Sequence, residues 1–226
     1  MGEAIGQMLP FAVGVAISPM PIVAVVLMLV SARAKANGLA FILGWVVAIA
    51  VLGGIVLAVA GPAAMTDDDG SASSGSSTLK LVLGLLLVMV AMRQWRSRPH
   101  GDEEPVVPKW MGAIDGFTPV KAAGAGFVLA DVNPKNLVLV VGGAAAIAQT
   151  EVSGAEQVLA LVLFVVIATI GVATPVVIYF VMGDRAAGIL QRLKSWMSSH
   201  NPAIMAVLCL VIGAKLIGDS ISGFSG

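Results

Sequence analysis

Six apolar runs organise the chain, at about residues 5–30, 39–60, 78–92, 117–148, 155–182 and 202–221. A helix rises about 1.5 Å per residue and satisfies its own backbone, so roughly 20 apolar residues cross the ~30 Å hydrocarbon core of a bilayer. The runs therefore predict an all-α integral membrane protein with six transmembrane helices. Composition agrees, since 58% of the 226 residues are hydrophobic and 12% are charged, about half the charged share of a soluble domain. The first and fourth runs exceed one crossing and the third falls short, which predicts broken or tilted helices.

The connections divide by charge. Arg33 and Lys35 follow the first run, Arg93, Arg96, Arg98, Lys109 and Lys121 occupy the third connection, and Arg185, Arg192 and Lys194 the fifth. By contrast, "TDDDGSASSGSST" ends on Lys80 as its one basic residue, and "QTEVSGAEQ" has none. The positive-inside rule then places the odd connections in the cytoplasm and both termini outside, in a multi-pass protein. The start of the chain lacks a basic segment and carries Glu3, and reads as a retained helix, not a cleaved signal peptide.

Several functions are excluded at this stage. A net charge of zero with no basic face removes a nucleic-acid partner. Cys209 is the single cysteine, so neither an internal disulfide nor dithiol exchange is available. No "GxxxxGK[ST]" phosphate loop is present. His100 and His200 are read as lying in polar loops, and the spans hold no carboxylate or histidine cluster for a metal. No catalytic residue, cofactor or enzymatic activity is expected. Residues 66–77 read as a flexible external loop in which Asp67, Asp68 and Asp69 are a solvated acidic run. The segment 183–202 reads as a short amphipathic helix at the inner interface, with Leu190, Leu193 and Trp196 facing lipid.

The informative residues interrupt the long runs. "DVNPKN" at 131–136 sits inside the fourth and "SPMP" at 18–21 inside the first. A shift of 115 residues superposes Ser18 on Asn133, Pro19 on Pro134 and Pro21 on Asn136. The chain thus reads as a single transmembrane domain, 1–226, made of two three-helix repeats, 1–98 and 117–226, joined by a cytoplasmic linker at 99–116. Three spans per repeat is an odd number, so the second repeat is inverted, a design common in secondary transporters.

Proline removes an N–H and clashes with the preceding turn, while Ser or Asn before Pro makes a good N-cap and N1 pair. Each motif is expected to start a new half-helix whose free N–H groups favour an anion near the midplane. Lys135 adds a positive charge. Asp131, four residues earlier, is its expected counterion, and the pair is a titratable couple for proton coupling. The competing reading is structural: prolines kink membrane helices without a ligand, and a Lys–Asp pair can pin two helices. Thr174–Pro175 is a further kink that either lines the cavity or only bends its helix. Lys215, with Asp219 one turn on, either joins the pathway or snorkels outward.

Taken with "TPVVIYFVMGDRA" leaving the fifth run and "LKSWMSSHNPAIMAVLCLVIGAKLIG" near the end, these motifs resemble the actinobacterial sulfolipid- and glycopeptidolipid-addressing membrane proteins, a branch of the lysine exporter superfamily. The likeness covers nearly the whole chain; the long external loop and short third run depart from it. It implies export of a lipid, glycolipid or other amphipathic solute toward the cell surface. The wider superfamily exports amino acids and small solutes, and a non-transporting accessory role in a lipid-export complex is the other alternative. The implied partners are membrane lipids, an anionic or amphipathic substrate, other envelope lipid-export proteins and a second copy of the chain. The implied substrate positions are Ser18, Pro19, Pro21, Asn133, Pro134, Lys135 and Asn136.

Overall fold

The computed structural model describes residues 1–31, 33–65, 71–97, 116–150 and 152–225. Among them the regular structure is entirely helical: α1 (Gly2–Ala16), α2 (Pro19–Leu29), α3 (Ala34–Met65), α4 (Ser71–Arg96), α5 (Pro119–Asp131), α6 (Pro134–Ala148), α7 (Gly154–Met182) and α8 (Ala186–Ser225), with a 3-10 turn at Gly183–Arg185. α1 and α2 are bent by 48° at their break, and α5 and α6 by 69°. Four helices are long and apolar enough to cross a membrane, or six if each bent pair forms one span.

The helix surfaces identify the solvent. On α3, Leu39, Leu43, Val47, Val51, Ile55 and Val59 are all exposed. On α7 the same spacing exposes Val158, Val162, Val166 and Ile170. Residues four apart share a helix face, so each stripe is a continuous apolar strip. Strips of this length facing water would drive aggregation, whereas a bilayer solvates them. The opposite face of α3 carries Asn37, Phe41, Trp45 and Ile49, all fully buried. The chain is a multi-pass membrane protein.

Three tight crossings hold the helices together. α3 runs parallel to α5, with Asn37 Nδ2 donating to the Phe117 carbonyl at 3.0 Å and Gly44 and Gly126 at the contact. A Cβ on either glycine would collide with backbone of the other helix, so glycine sets this separation. α1 runs parallel to α7: the Met1 ammonium lies 3.8 Å from Glu156 Oε1 at one end, and Gly171 meets the Ala16 carbonyl further along. α4 and α8 are antiparallel, crossing where Gly84 lies against Gly213, while Ser220 Oγ donates to the Ser77 carbonyl at 2.7 Å. Exchanging α1–α4 with α5–α8 turns the α3–α5 contact into α7–α1 and returns α4–α8 to itself.

Several sequence expectations change. The third run is not short, because α4 begins at Ser71 and its apolar span is Ser77–Arg96. Ser71–Ser77 therefore belong to a helix and not to a loop; the buried Ser77 shows the cause, its carbonyl being paired with Ser220 across the seam. The separate interfacial helix merges into α8, which runs through Pro202. On it Leu190 is buried and Leu193 packs against the core, leaving Trp196 exposed. His200 lies in this helix, its ring stacked on Trp196 at 4.9 Å. The linker and the Asp67–Asp69 run, apart from Gly116, lie outside the described residues, as does His100.

Candidate functional site

The two interruptions are built alike at the backbone. Ser18 (φ −78°, ψ 110°) and Asn133 (φ −67°, ψ 115°) are extended N-caps of α2 and α6, each followed by proline in the first turn. Their side chains differ. Asn133 Oδ1 accepts from the Lys135 N–H at 3.2 Å, the usual capping bond to the second helical residue. Ser18 Oγ makes no capping bond and is buried without a partner among the described residues.

Breaking α1 also opens its carbonyl end. The Ser18 N–H turns back to the Val15 carbonyl at 3.1 Å, leaving the Gly14 carbonyl without the amide four residues on that would pair it in a continuing helix. Lys135 fills the gap: its Nζ donates to the Gly14 oxygen at 2.7 Å across 121 residues. The side chain is 1% exposed. Ile212 of α8 and Leu139 of α6 press against Gly14, so that a Cβ there would fall 2.8 Å and 3.0 Å from their methyl groups.

The second break has the same solution one residue later. The Leu129 carbonyl, 115 residues after Gly14, accepts from Asn136 Nδ2 at 3.1 Å. The first two side chains after Pro134 therefore cap both interrupted helices, Lys135 that of α1 and Asn136 that of α5. Cations and donors are favoured at helix C-termini, where the carbonyl dipoles sum to partial negative charge. Lys135 is also at the N-terminus of α6, where that helix's own dipole disfavours a cation. Met20 follows Pro19 as Lys135 follows Pro134, so the charge is present in one motif only.

The motif residues divide by position. Ser18, Pro19, Pro21, Lys135 and Asn136 are buried, Asn133 and Asp131 partly so, and Pro134 is exposed. The expected Asp131–Lys135 pair does not form: Lys135 bonds to Gly14, and no ion pair joins it to Asp131 among the described residues. The 69° bend supplies the reason, since residues four apart face each other only on one continuous helix. Asp131 Oδ1, Asn136 Oδ1 and Ser18 Oγ are buried atoms with no hydrogen-bond partner among the described residues, a condition rare enough in folded proteins to require an explanation.

The remaining candidates lie elsewhere. Thr174 falls on the exposed side of α7, its Oγ1 donating to the Ile170 carbonyl at 2.7 Å, which commits its proton and leaves it able only to accept. Pro175 is buried, and α7 continues through it. Lys215 pairs with Asp219 at 2.5 Å, both side chains about two-fifths exposed, beside a narrow cleft between α1, α4, α6 and α8. Sequence reasoning missed the Gly14 and Leu129 carbonyls, although counting four residues back from each N-cap would have found them. No group of three or more His, Cys, Asp or Glu able to hold a metal occurs among the described residues.

A multi-pass helical membrane protein with two capped helix breaks and one deeply buried lysine is the class these features define. The family described as "Sap, sulfolipid-1-addressing protein" matches residues 8–222, and the chain belongs to that family. Searches among curated proteins and solved structures give no match.

Proposed function

We propose that the protein moves the anionic part of a lipid, glycolipid or other amphipathic solute across the bacterial inner membrane toward the cell surface. The observation that carries this reading is Lys135, a buried ammonium kept on the Gly14 carbonyl where both broken helices meet α6. A charge at membrane depth is costly and is seldom retained without a task. An anion entering between the breaks takes the ammonium from Gly14, while the free N–H groups of the restarted helices and the Ser18 hydroxyl supply donors. The acyl part remains in the membrane.

In this reading each bent pair is one span, and the six spans form two inverted repeats of the lysine exporter type. The paired contacts α3–α5 and α1–α7 support that arrangement. The basic residues Arg33, Lys35, Arg93, Arg96, Lys121, Arg185, Arg192 and Lys194 support cytoplasmic odd connections, with both termini outside. Lys135 itself, not a fixed Asp131–Lys135 pair, is the group exchanged between protein and substrate. The protein has no catalytic role, and its partners are the substrate and membrane lipids. An exporter of amino acids or small solutes and an accessory of a lipid-export complex remain the alternatives.

A deletion strain tests the proposal. Loss of the chain is expected to deplete one class of anionic lipid from the cell surface and enrich it in the inner membrane. Wild type restores the distribution and Lys135→Met does not. Unchanged surface lipids with altered secretion of amino acids would replace the lipid reading with the small-solute one.

A further inference from the structure

α4 and α8 meet along a seam of small residues spaced two turns apart. Ser77 bonds Ser220 and Gly84 lies against Gly213. Because the pair is antiparallel, the next step of the same register brings Ala91 to Ala206, about 10 Å beyond the glycine crossing. Both alanines are 4% exposed. With only methyl groups at this third step, the helices leave a groove of about 450 Å³, within the usual ~300–1,000 Å³ of ligand pockets. The alanines form its floor, and Met92 and Trp95 of α4 with Val207 and Leu210 of α8 form its walls. Each of these four is about half exposed.

The groove is apolar along its length and basic at its end. Arg96, the last residue of α4, lines it and shares a helix face with Met92, four residues earlier. Its stem can run along the apolar wall while the guanidinium reaches the headgroup layer. Among the described residues no acidic side chain lines the groove, and Arg96 makes no ion pair. Arg93 is exposed in the same last turn, so two cations outweigh the roughly half negative charge of the helix end. Trp95 is a residue type that favours the bilayer interface. Apolar walls, an indole and a guanidinium thus follow one another as the acyl chain, glycerol and phosphate of a phospholipid do.

We propose that this groove binds one anionic phospholipid, with an acyl chain between α4 and α8 and the phosphate on Arg96. A guanidinium fork matches phosphate oxygens two at a time, and the choline cation of a zwitterionic lipid would offset that attraction. The site is separate from Lys135. Ile212, which packs on Gly14, is two residues beyond Leu210 and so points to the other side of α8. Binding here requires only that the chain sits in a bilayer and does not depend on transport.

The test uses the full chain in detergent, with native mass spectrometry reading lipid-bound states as dioleoyl-phosphatidylglycerol or dioleoyl-phosphatidylcholine is titrated in. One phosphatidylglycerol is expected to bind about tenfold more tightly than phosphatidylcholine. Arg96→Gln should remove that advantage, a loss of about tenfold that matches one charge-assisted hydrogen bond, and Arg93→Gln should lose less. Val207→Phe, at an exposed wall position, should weaken both lipids several-fold by filling the groove with the charge untouched. Glycerophosphoglycerol, the headgroup without its chains, should not compete at the lipid's concentration. Lys135→Met should bind as wild type does even where it fails to restore surface lipid, so the two proposals can fail separately. Equal affinity for the two lipids, equal losses in Arg93→Gln and Arg96→Gln, indifference to Val207→Phe, or loss of binding in Lys135→Met would overturn the site. Competition by glycerophosphoglycerol would overturn the acyl-chain groove, and a lipid-free dimer that Val207→Phe dissociates would assign the groove to a second copy of the chain.

Discussion

Replacing Lys135 by methionine separates a structural lysine from a functional one. The change removes the 2.7 Å bond to Gly14 and leaves that carbonyl without its cap, a loss of about 1–3 kcal/mol. It also removes a buried ammonium, whose insertion at the centre of a membrane helix costs about 3 kcal/mol on translocon scales. Methionine matches the length of the lysine stem and opens little cavity, and Met20 already occupies the matching place in the first motif. The two terms nearly cancel, with the balance slightly toward the mutant. Lys135→Met should therefore express normally and unfold in detergent within about 1 kcal/mol of wild type, or above it, while failing to restore surface lipid in the deletion strain. Thermal unfolding followed by light scattering and the complementation assay read the two halves. A loss of about 3 kcal/mol or more, the cost of breaking a buried polar pair, would make Lys135 a strap between α6 and α1 and refute the reasoning.

Three other outcomes follow from the packing and the charge distribution. Gly126→Val should cost about 1–3 kcal/mol or more by overpacking, because its Cβ meets the Phe41 carbonyl; unfolding at the wild-type temperature would show that the α3–α5 contact is loose. Asn136→Leu should destabilise by about 1–3 kcal/mol by leaving the Leu129 carbonyl unpaired, as detergent melts would reveal. In intact cells a membrane-impermeant maleimide should label Ala155→Cys and reach Ser97→Cys only after permeabilisation, with buried Cys209 giving no background; the reverse pattern would invert the topology.

The membrane class and the two breaks were legible because they depend on composition and on proline, whose missing N–H acts locally. The Ser18/Asn133 equivalence survived in the backbone, as N-caps of similar φ and ψ. The Lys135 partner did not, since four-residue spacing implies contact only on an unbroken helix, and Pro134 is the residue that breaks it. Hydrophobic runs also misjudged helix length: Ser71–Ser77 and Ala186–His200 read as loop and interface segment, yet tertiary contacts at Ser77 and Leu190 carry α4 and α8 through them. Tertiary context overrode local polarity in both places. The cleft beside Lys215 was illegible because Gln7, Lys80 and Lys215 come from three separate helices and Gln149 from the end of a fourth.

The central claim is that this chain by itself carries an anionic headgroup across a bilayer by way of Lys135. Its most direct test is a reconstitution of the purified protein into liposomes containing phosphatidylglycerol labelled on its acyl chain with a dithionite-quenchable fluorophore, following quenching of the inner-leaflet pool. Wild type is expected to expose that pool faster than protein-free liposomes, with labelled phosphatidylcholine moving little and Lys135→Met reducing the rate to background. Equal rates for wild type and Lys135→Met would contradict the role of the lysine, and no acceleration by wild type would contradict autonomous transport and favour an accessory of a larger export complex.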